Sequence, residues 1–453
     1  TSLGGMGQGM APYYLASAAD EIWLQPVGSV GIAGVAMQVP FLRDGLKKLG
    51  VSSDFVHQGR YKSAVESLTR MDLSGPAREN MMAVLTDLNG QMRTDIGKAR
   101  KFENAEITKL SQDGFFDSDQ ALAAKLVDRI AYLDEFAQGD DAKNPQADKS
   151  AVSLMAYSDM RADEVKDKKD KDAEKIALVY GVGEITEGDA KDETRGELTA
   201  ASMVKALREA TEDEDIAAIV LRLDTPGGSP AASESIRRAI IRAQGEGKKV
   251  VVSMSGVAAS GGYWIASAAD KIIAQPATIT GSIGVFGGKF VAAETFKKLG
   301  VNIETLKQDG SADVWSATRP FSEAERERIT GQMKTVYDQF VTRVAEGRKM
   351  PVEKAYALAE GRIYTGTQAL EVGLVDGLGG LEVAKATAEN LLGLTAAKQL
   401  AMVEFPPRKT MVERLFDLIT GGVSISPLDL SVLLKASVPQ TGSRLEAPVL
   451  AVY

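Results

Sequence analysis

Residues 13–26 read YYLASAADEIWLQP and residues 263–276 read YWIASAADKIIAQP. The same spacing of 250 residues recovers Lys47-Lys48-Leu49-Gly50-Val51 as Lys297-Lys298-Leu299-Gly300-Val301. Further pairs follow with small shifts in spacing. Gly28-Ser-Val-Gly-Ile-Ala-Gly34 returns as Gly281-Ser-Ile-Gly-Val-Phe-Gly287, and Gln120-Ala-Leu with Leu126-Val-Asp128 returns as Gln368-Ala-Leu with Leu374-Val-Asp376. Self-similarity on this scale is a duplicated domain rather than a short repeat.

The second copy shows which domain was duplicated. Apolar runs starting at Lys175, Ile216 and Lys249 have the length and bounds of buried strands, while Met203 to Ala210 and Ala232 to Gln244 have helical spacing. Strand alternating with helix predicts a layered α/β unit with mainly parallel strands. A helix is expected from the turn at Ser260 through Ala269, and Ser322-x-x-Glu325 is a capping box that opens a long helix, as Ser74 before Pro76 does in the first copy. The expected organisation is a first copy over 1–145, a connection over 146–175 that is almost all charged from Arg161, a second copy over 176–394, and an unduplicated extension over 395–453. In that extension Met411 to Ile419 is amphipathic and suits packing on its own chain or a sister subunit. Residue 1 aligns with residue 251, whereas the second copy begins some 75 residues earlier. The first copy is therefore expected to lack its N-terminal part, with an upstream segment that carries an anchor or export signal.

Composition removes several chemistries. The formal net charge of -9, with no concentrated basic face, argues against a nucleic-acid partner. There are no cysteines, so thiolate nucleophiles, disulfides and zinc–thiolate sites are excluded. The single histidine, His57, cannot supply a two-histidine zinc helix, and it reads best as a polar strand or loop residue. No apolar run is long enough to span a membrane.

What remains is carried by two places where the copies differ. Ser260, in Ala259-Ser260-Gly261-Gly262-Tyr263, stands opposite Met10; Lys62, in Gly59-Arg60-Tyr61-Lys62-Ser63, stands opposite the lysine-free stretch Asp309 to Ala317. A serine at a tight glycine turn suits a nucleophile with amide donors beside it, although a helix-capping serine has the same local sequence. A lysine can act as a base only when neutral, which requires burial away from carboxylates to lower its pKa. The flanks of Lys62 contain none until Glu66, although a surface lysine near a helix start has similar flanks. Asp224-Thr-Pro-Gly-Gly228 follows a buried strand and offers bare amides at the carboxyl end of a sheet, where α/β proteins place their sites. Pro226 in place of the expected glycine excludes an aspartic-protease reading of Asp224-Thr225. A duplication that left a serine in one copy and a lysine in the other accounts for the complementarity better than decay of one copy does.

The set Asp-Thr-Pro-Gly-Gly, Ala-Ala-Ser-Gly-Gly-Tyr, Gly-Ser-Ile-Gly-Val and Gly-Arg-Tyr-Lys-Ser-Ala resembles the long, duplicated form of the signal peptide peptidase A family, peptidase family S49. The resemblance implies tandem ClpP/crotonase-like α/β domains and a serine endopeptidase with a Ser–Lys dyad. By motif, Ser260 is the implied nucleophile, Lys62 the general base, Ser282 the residue that orients the lysine, and the amides of Gly228 and Gly261 the oxyanion hole. Gly227 is the neighbouring alternative to Gly228. No cofactor and no metal is implied. The implied substrates are cleaved signal peptides and other apolar peptides, and the implied assembly is a homotetramer. The implied place is the bacterial inner (cytoplasmic) membrane with the catalytic part on its periplasmic side, membrane contact being made through a segment absent from this chain. Two other classes share these features: a catalytically inactive membrane scaffold of the same fold, and a crotonase-like acyl-CoA enzyme, which accounts for the glycines but not for the divided serine and lysine.

Overall fold

The computed structural model describes residues 9–132, 135, 157, 174–188, 198–394 and 399–406. The charged connection up to residue 173, apart from Tyr157, and the amphipathic piece Met411 to Ile419 lie outside the described residues.

The apolar runs of the second copy become the middle of an eight-stranded sheet. Lys249–Ala259 pairs in parallel with Ile216–Thr225, which pairs in parallel with Lys175–Val182. Each strand runs further than its apolar core alone suggests, because the sheet continues past Leu223 and Ser253 to deliver Thr225 and Ala259 to the carboxyl edge. Lys271–Ala274 and Ile279–Gly281 both lie beside Lys249–Ala259, on successive lengths of it. Ile363–Tyr364 closes that side as the one antiparallel member, and Ala401–Glu404 adds a parallel edge next to Lys175–Val182. Continuous Val, Ile and Leu runs are what a sheet covered on both faces requires. Helices Ala200–Glu212, Pro230–Gly245 and Glu323–Gly347 cover one face, and Leu381–Leu391 covers the other. This is a mixed α/β architecture with a mainly parallel sheet, in keeping with the expected ClpP/crotonase-like class.

The first copy repeats the short pairings in kind. Trp23–Leu24 pairs in parallel with Arg129–Ile130 as Lys271–Ala274 does with Gly377–Leu378, and Ser29–Gly31 pairs antiparallel with Phe115–Asp117 as Ile279–Gly281 does with Ile363–Tyr364. Buried polar bonds recur with them. Tyr13 donates its hydroxyl to the Leu126 carbonyl and Tyr263 to that of Leu374, both at 2.7 Å; Arg100 pairs with Asp128 as Arg348 does with Asp376. The long helices Gly75–Arg100 and Glu323–Gly347 start where their caps predict, with Ser74 accepting from the Ala77 amide and Ser322 and Glu325 forming a reciprocal box. Only the helix after Ser260 is shorter than expected, Gly261–Ala266 rather than through Ala269.

The copies are joined by a strand pair between them. Ser52–Gln58 of the first runs antiparallel to Val285–Val291 of the second over seven residue pairs. Val56 is buried there against Phe321 and Ile329. Asp54, also buried, accepts from the Phe321 amide at 2.7 Å and pairs with Arg326. Helix Gly75–Arg100 adds a second contact, Asn80 exchanging two hydrogen bonds of 2.8 Å with the backbone of Ile363. Since the buried Phe321 amide takes its partner from Asp54, Asp54→Ala is expected to lower stability by about 1–3 kcal/mol. A chemical denaturation curve superimposable on that of the wild type would show that this bond does not hold the copies together.

Candidate active site

Three chain segments meet at the carboxyl edge of the large sheet, and two of them belong to the second copy. Strand Lys249–Ala259 ends at Ser260, whose backbone is held at φ 53°, ψ −118° by its amide donating to the Gly281 carbonyl at 2.9 Å. A left-handed serine between a strand and a helix is strained by about 1–3 kcal/mol and turns its side chain out of the regular structure. Ser260 occupies the N-cap position of helix Gly261–Ala266, yet its side chain makes no capping bond. The capping explanation for this serine is thereby removed.

Ile279–Gly281 runs alongside and ends at Ser282, also left-handed at φ 52°, whose amide donates to the Arg362 carbonyl at 2.7 Å. The third segment comes from the first copy. Strand Ser52–Gln58 carries the chain along Val285–Val291, the turn at Gly59 redirects it, and Tyr61 donates its amide to the Glu360 carbonyl. Lys62 then enters the second copy, where it is 4% exposed.

Its amine lies 3.0 Å from Ser260 Oγ, 2.9 Å from Ser282 Oγ and 2.9 Å from the Ser282 carbonyl oxygen. These are three polar partners, and none is charged. Burial pushes the Lys62 amine down from its usual 10.5 to about 7, with no opposing carboxylate to hold the proton. A neutral amine fits the three partners: two N–H groups donate to Ser282, and the lone pair is left to accept from the Ser260 hydroxyl.

The glycine turn lies on the other side of Ser260. The Gly227 amide is already committed to Thr225 Oγ1 at 3.1 Å, whereas the amides of Gly228 and Gly261 make no hydrogen bond among the described residues. Gly228 has φ 153°, and a Cβ there would lie 2.1 Å from the Ile185 carbonyl oxygen, so no other residue fits. These residues border a cavity of about 250 Å³ whose other walls are mostly apolar, including Pro226, Trp264, Val285, Phe286 and Phe340, with Glu184 and Ser229 also at its lining. Trp264 and Phe340 stack with ring centroids 4.6 Å apart.

The structure thus brings together the five residues singled out in the sequence, Lys62, Gly228, Ser260, Gly261 and Ser282, around one cavity. His57 stands apart. It is exposed, with Nδ1 near the Gly59 carbonyl at 3.3 Å. Met10, aligned with Ser260, is fully buried in the first copy's apolar core.

Sequence reading did not single out the turn Glu360-Gly361-Arg362. Gly361 has φ 75° and donates to the Ile283 carbonyl at 2.8 Å, and a Cβ on it would lie 2.5 Å from the Lys62 amide nitrogen. Arg362 stacks on the Tyr61 ring at 4.1 Å and pairs with Glu79, which accepts from the Tyr61 hydroxyl at 2.8 Å. A lone glycine ahead of a short strand reads as an ordinary turn, and nothing in its neighbours announces a lysine from the other copy.

The model of peptidase family S49 matches residues 3–144 and 242–395. Protease 4 of Salmonella typhi is 34% identical over 452 residues, covering 96% of this chain and 70% of that protein. Protease 4 of Haemophilus influenzae is 34% identical over 399 residues, covering 84% of this chain and 63% of the relative. The chloroplastic serine protease SPPA of Arabidopsis thaliana is 30% identical over 432 residues, covering 93% and 62%. This chain therefore spans between 62% and 70% of the length of these three relatives. Among the described residues no helix is long and apolar enough to cross a membrane. With two matched regions that fall one in each copy, and relatives that align across both, the chain belongs to peptidase family S49.

Proposed function

We propose that this peptidase is a serine endopeptidase in which Ser260 is the nucleophile and Lys62 the general base. The observation that carries the reading is the buried amine of Lys62, 3.0 Å from the Ser260 hydroxyl and free of any carboxylate partner. In the proposed cycle Lys62 takes the Ser260 proton as Oγ attacks a peptide carbonyl. Ser282 keeps the amine aimed by accepting its two N–H bonds. The developing oxyanion is received by the amides of Gly228 and Gly261, where one such donor contributes about 2.7–4 kcal/mol. Lysine then protonates the leaving amine, and water, deprotonated in its turn by Lys62, releases the acyl group.

The cavity's aromatic and aliphatic walls suit an apolar side chain next to the cleaved bond. Cleaved signal peptides and other apolar peptides at the extracytoplasmic face of a bacterial inner membrane are accordingly the proposed substrates.

An unstructured apolar peptide with a fluorescent reporter tests the dyad directly. Ser260→Ala and Lys62→Ala are each expected to lower kcat/KM by about 10³-fold or more, and the double variant by little beyond either alone, since the two act as one unit. Wild-type turnover by Ser260→Ala would show that the dyad is wrong, and no turnover by the wild type itself would leave the inactive-scaffold reading.

The proton affinity of Lys62 fixes the pH dependence. The amine is a base only when unprotonated, so kcat/KM is expected to rise with pH through about 7 and to fall below it. A profile flat from about pH 6 to 10 is incompatible with a titrating amine base.

Stability carries the same signature with a defined sign. Between about 7 and the usual 10.5 the unfolded chain holds a proton on Lys62 that the folded chain does not. Stability from this group therefore rises with pH across that window and is lowest below it. Lys62→Met is expected to remove that slope, so comparing denaturation midpoints at pH 7 and pH 10 separates a buried neutral amine from a solvated one.

A further inference from the structure

Two hydroxyls of the site, Ser260 and Ser282, give way to apolar side chains in the first copy, and an arginine goes with them. Strand pairing sets the correspondence. Gly31 lies opposite Phe115 as Gly281 lies opposite Ile363, so Ile32, rather than Ser29, stands where Ser282 does, and Gly114 stands where Arg362 does. The backbone bond between the two positions is kept: the Ile32 amide donates to the Gly114 carbonyl at 2.8 Å, and the Ser282 amide to the Arg362 carbonyl at 2.7 Å. Only the side chains differ. The copy that has a fully buried Met10 for the serine and a fully buried Ile32 for Ser282 has no side chain at all in place of Arg362.

Arg362 works in two directions. Its carbonyl seats Ser282, and a Cβ on Gly281 would lie 2.9 Å from that oxygen, so the approach needs a glycine there. Its guanidinium lies 4.1 Å from the ring centroid of Tyr61, the residue before Lys62, which is 5% exposed. Arg60 adds a second guanidinium at 4.6 Å from the same ring and donates to the Tyr61 hydroxyl. Two cations on one ring need an anion, and Glu79 of helix Gly75–Arg100 supplies it, accepting from the Tyr61 hydroxyl at 2.8 Å and from Arg362 at 3.0 Å. A flat guanidinium can stack on the ring and pair with the carboxylate at once, which a lysine cannot do. Arg362 does not border the cavity beside Ser260.

We infer that Arg362 is a positioning residue of the Ser260 and Lys62 pair, its carbonyl fixing Ser282 and its guanidinium, clamped on Tyr61 by Glu79, fixing the backbone that delivers Lys62. The inference rests on the proposed endopeptidase reading and deepens it. The Lys62 amine touches Ser282 and Ser260, both of the second copy, while its own backbone comes from the first. A single residue of the second copy thus references the serine that aims the amine and the chain that carries it. The amine stays dry only while Tyr61 stays seated. Once the ring is released, the segment that carries Lys62 can shift and water can reach the amine, which then holds its proton more nearly as a solvated lysine does.

Arg362→Met in the full chain keeps an apolar stem and removes the stack and the ion pair. With the fluorescent apolar peptide it is expected to lower kcat by about tenfold or more at neutral pH, to leave KM within about twofold, and to move the midpoint of the pH profile upward by about one unit. A merely structural lesion lowers activity at every pH alike and leaves the midpoint in place. Tyr61→Leu is expected to act in the same way, and the double variant to add little to either, since the two side chains act as one unit. Arg362→Lys, which serves if Arg362→Met does not fold by circular dichroism, keeps a cation for Glu79 and is expected to move the midpoint in the same direction by less. Denaturation midpoints at pH 7 and pH 10 give a reading that needs no turnover. The rise in stability that Lys62 contributes across that window is expected to shrink in the variants, because the folded amine then keeps its proton to higher pH. A wild type without turnover would sink the endopeptidase reading, while the stability slope would still judge the arginine. An unmoved pH midpoint, an unchanged slope, a KM that rises as kcat falls, or an Arg362→Lys variant indistinguishable from the wild type at every pH would each overturn the inference.

Discussion

The antiparallel ladder between Ser52–Gln58 and Val285–Val291 is the constraint on which the site depends. Lys62 lies four residues beyond its end, so every ångström of register error in the ladder is passed to the amine. Seven paired residues fix the register, and the buried Asp54 pins it by satisfying the Phe321 amide, a donor with no alternative partner. Beyond Gln58 the chain does not drift: the Glu360 carbonyl takes the Tyr61 amide, and Gly361 leaves room against the Lys62 backbone for no side chain at all. The result is an amine from one copy placed within hydrogen-bond distance of a serine from the other.

That placement has a cost that the fold must carry. Lowering the Lys62 amine from its usual 10.5 to about 7 corresponds to lost proton affinity on the order of 5 kcal/mol, at about 1.36 kcal/mol for each tenfold change, a large fraction of the net stability of an ordinary domain. Strain at the two left-handed serines adds to it. Two intact apolar cores on either side of the junction, together with helix Gly75–Arg100 bonded across it through Asn80, provide the surplus against which such costs are set. A carboxylate near Lys62 would have removed the penalty and, with it, the neutral amine.

The buried parallel strands and the helices were legible because they are written locally. Continuous Val, Ile and Leu at 175–180, 216–223 and 249–253 has no stable home except a covered parallel sheet, and the caps at Ser74 and Ser322 mark helix starts by bonds to residues three positions away. Ser260 and Lys62 were legible for a different reason: the duplication supplies a reference, and a residue that differs between two otherwise matching copies stands out. The ladder joining the copies left no such trace. Val285–Val291 contains Gly287-Gly288 and lacks the alternation of a half-buried strand, and residues 302–308 match Ser52–Gln58 in position without being a strand. Pairing here is decided by which edge lies opposite, and that is a tertiary fact. The Gly361 turn escaped notice for the same reason, since its function is set by a backbone that arrives from 300 residues earlier.

The fate of Met10 shows why the two copies are not interchangeable. Where the second copy holds a strained serine at the edge of a cavity, the first has a fully buried methionine inside a cluster with Tyr13, Ile22 and Leu24. A flexible apolar side chain at this position fills space that a nucleophile and its cavity would otherwise need open, and the first copy gains core where the second accepts strain. The lysine shows the reverse: Lys62 leaves its own copy to be buried in the other, while the aligned stretch 309–317 turns back onto its own copy, with Lys289 held by the Val314 and Ser316 carbonyls. In the proposed dyad each copy is therefore released from one half of the chemistry. The internal contact brings the serine and the lysine together, because without it two residues on separate domains have no common site.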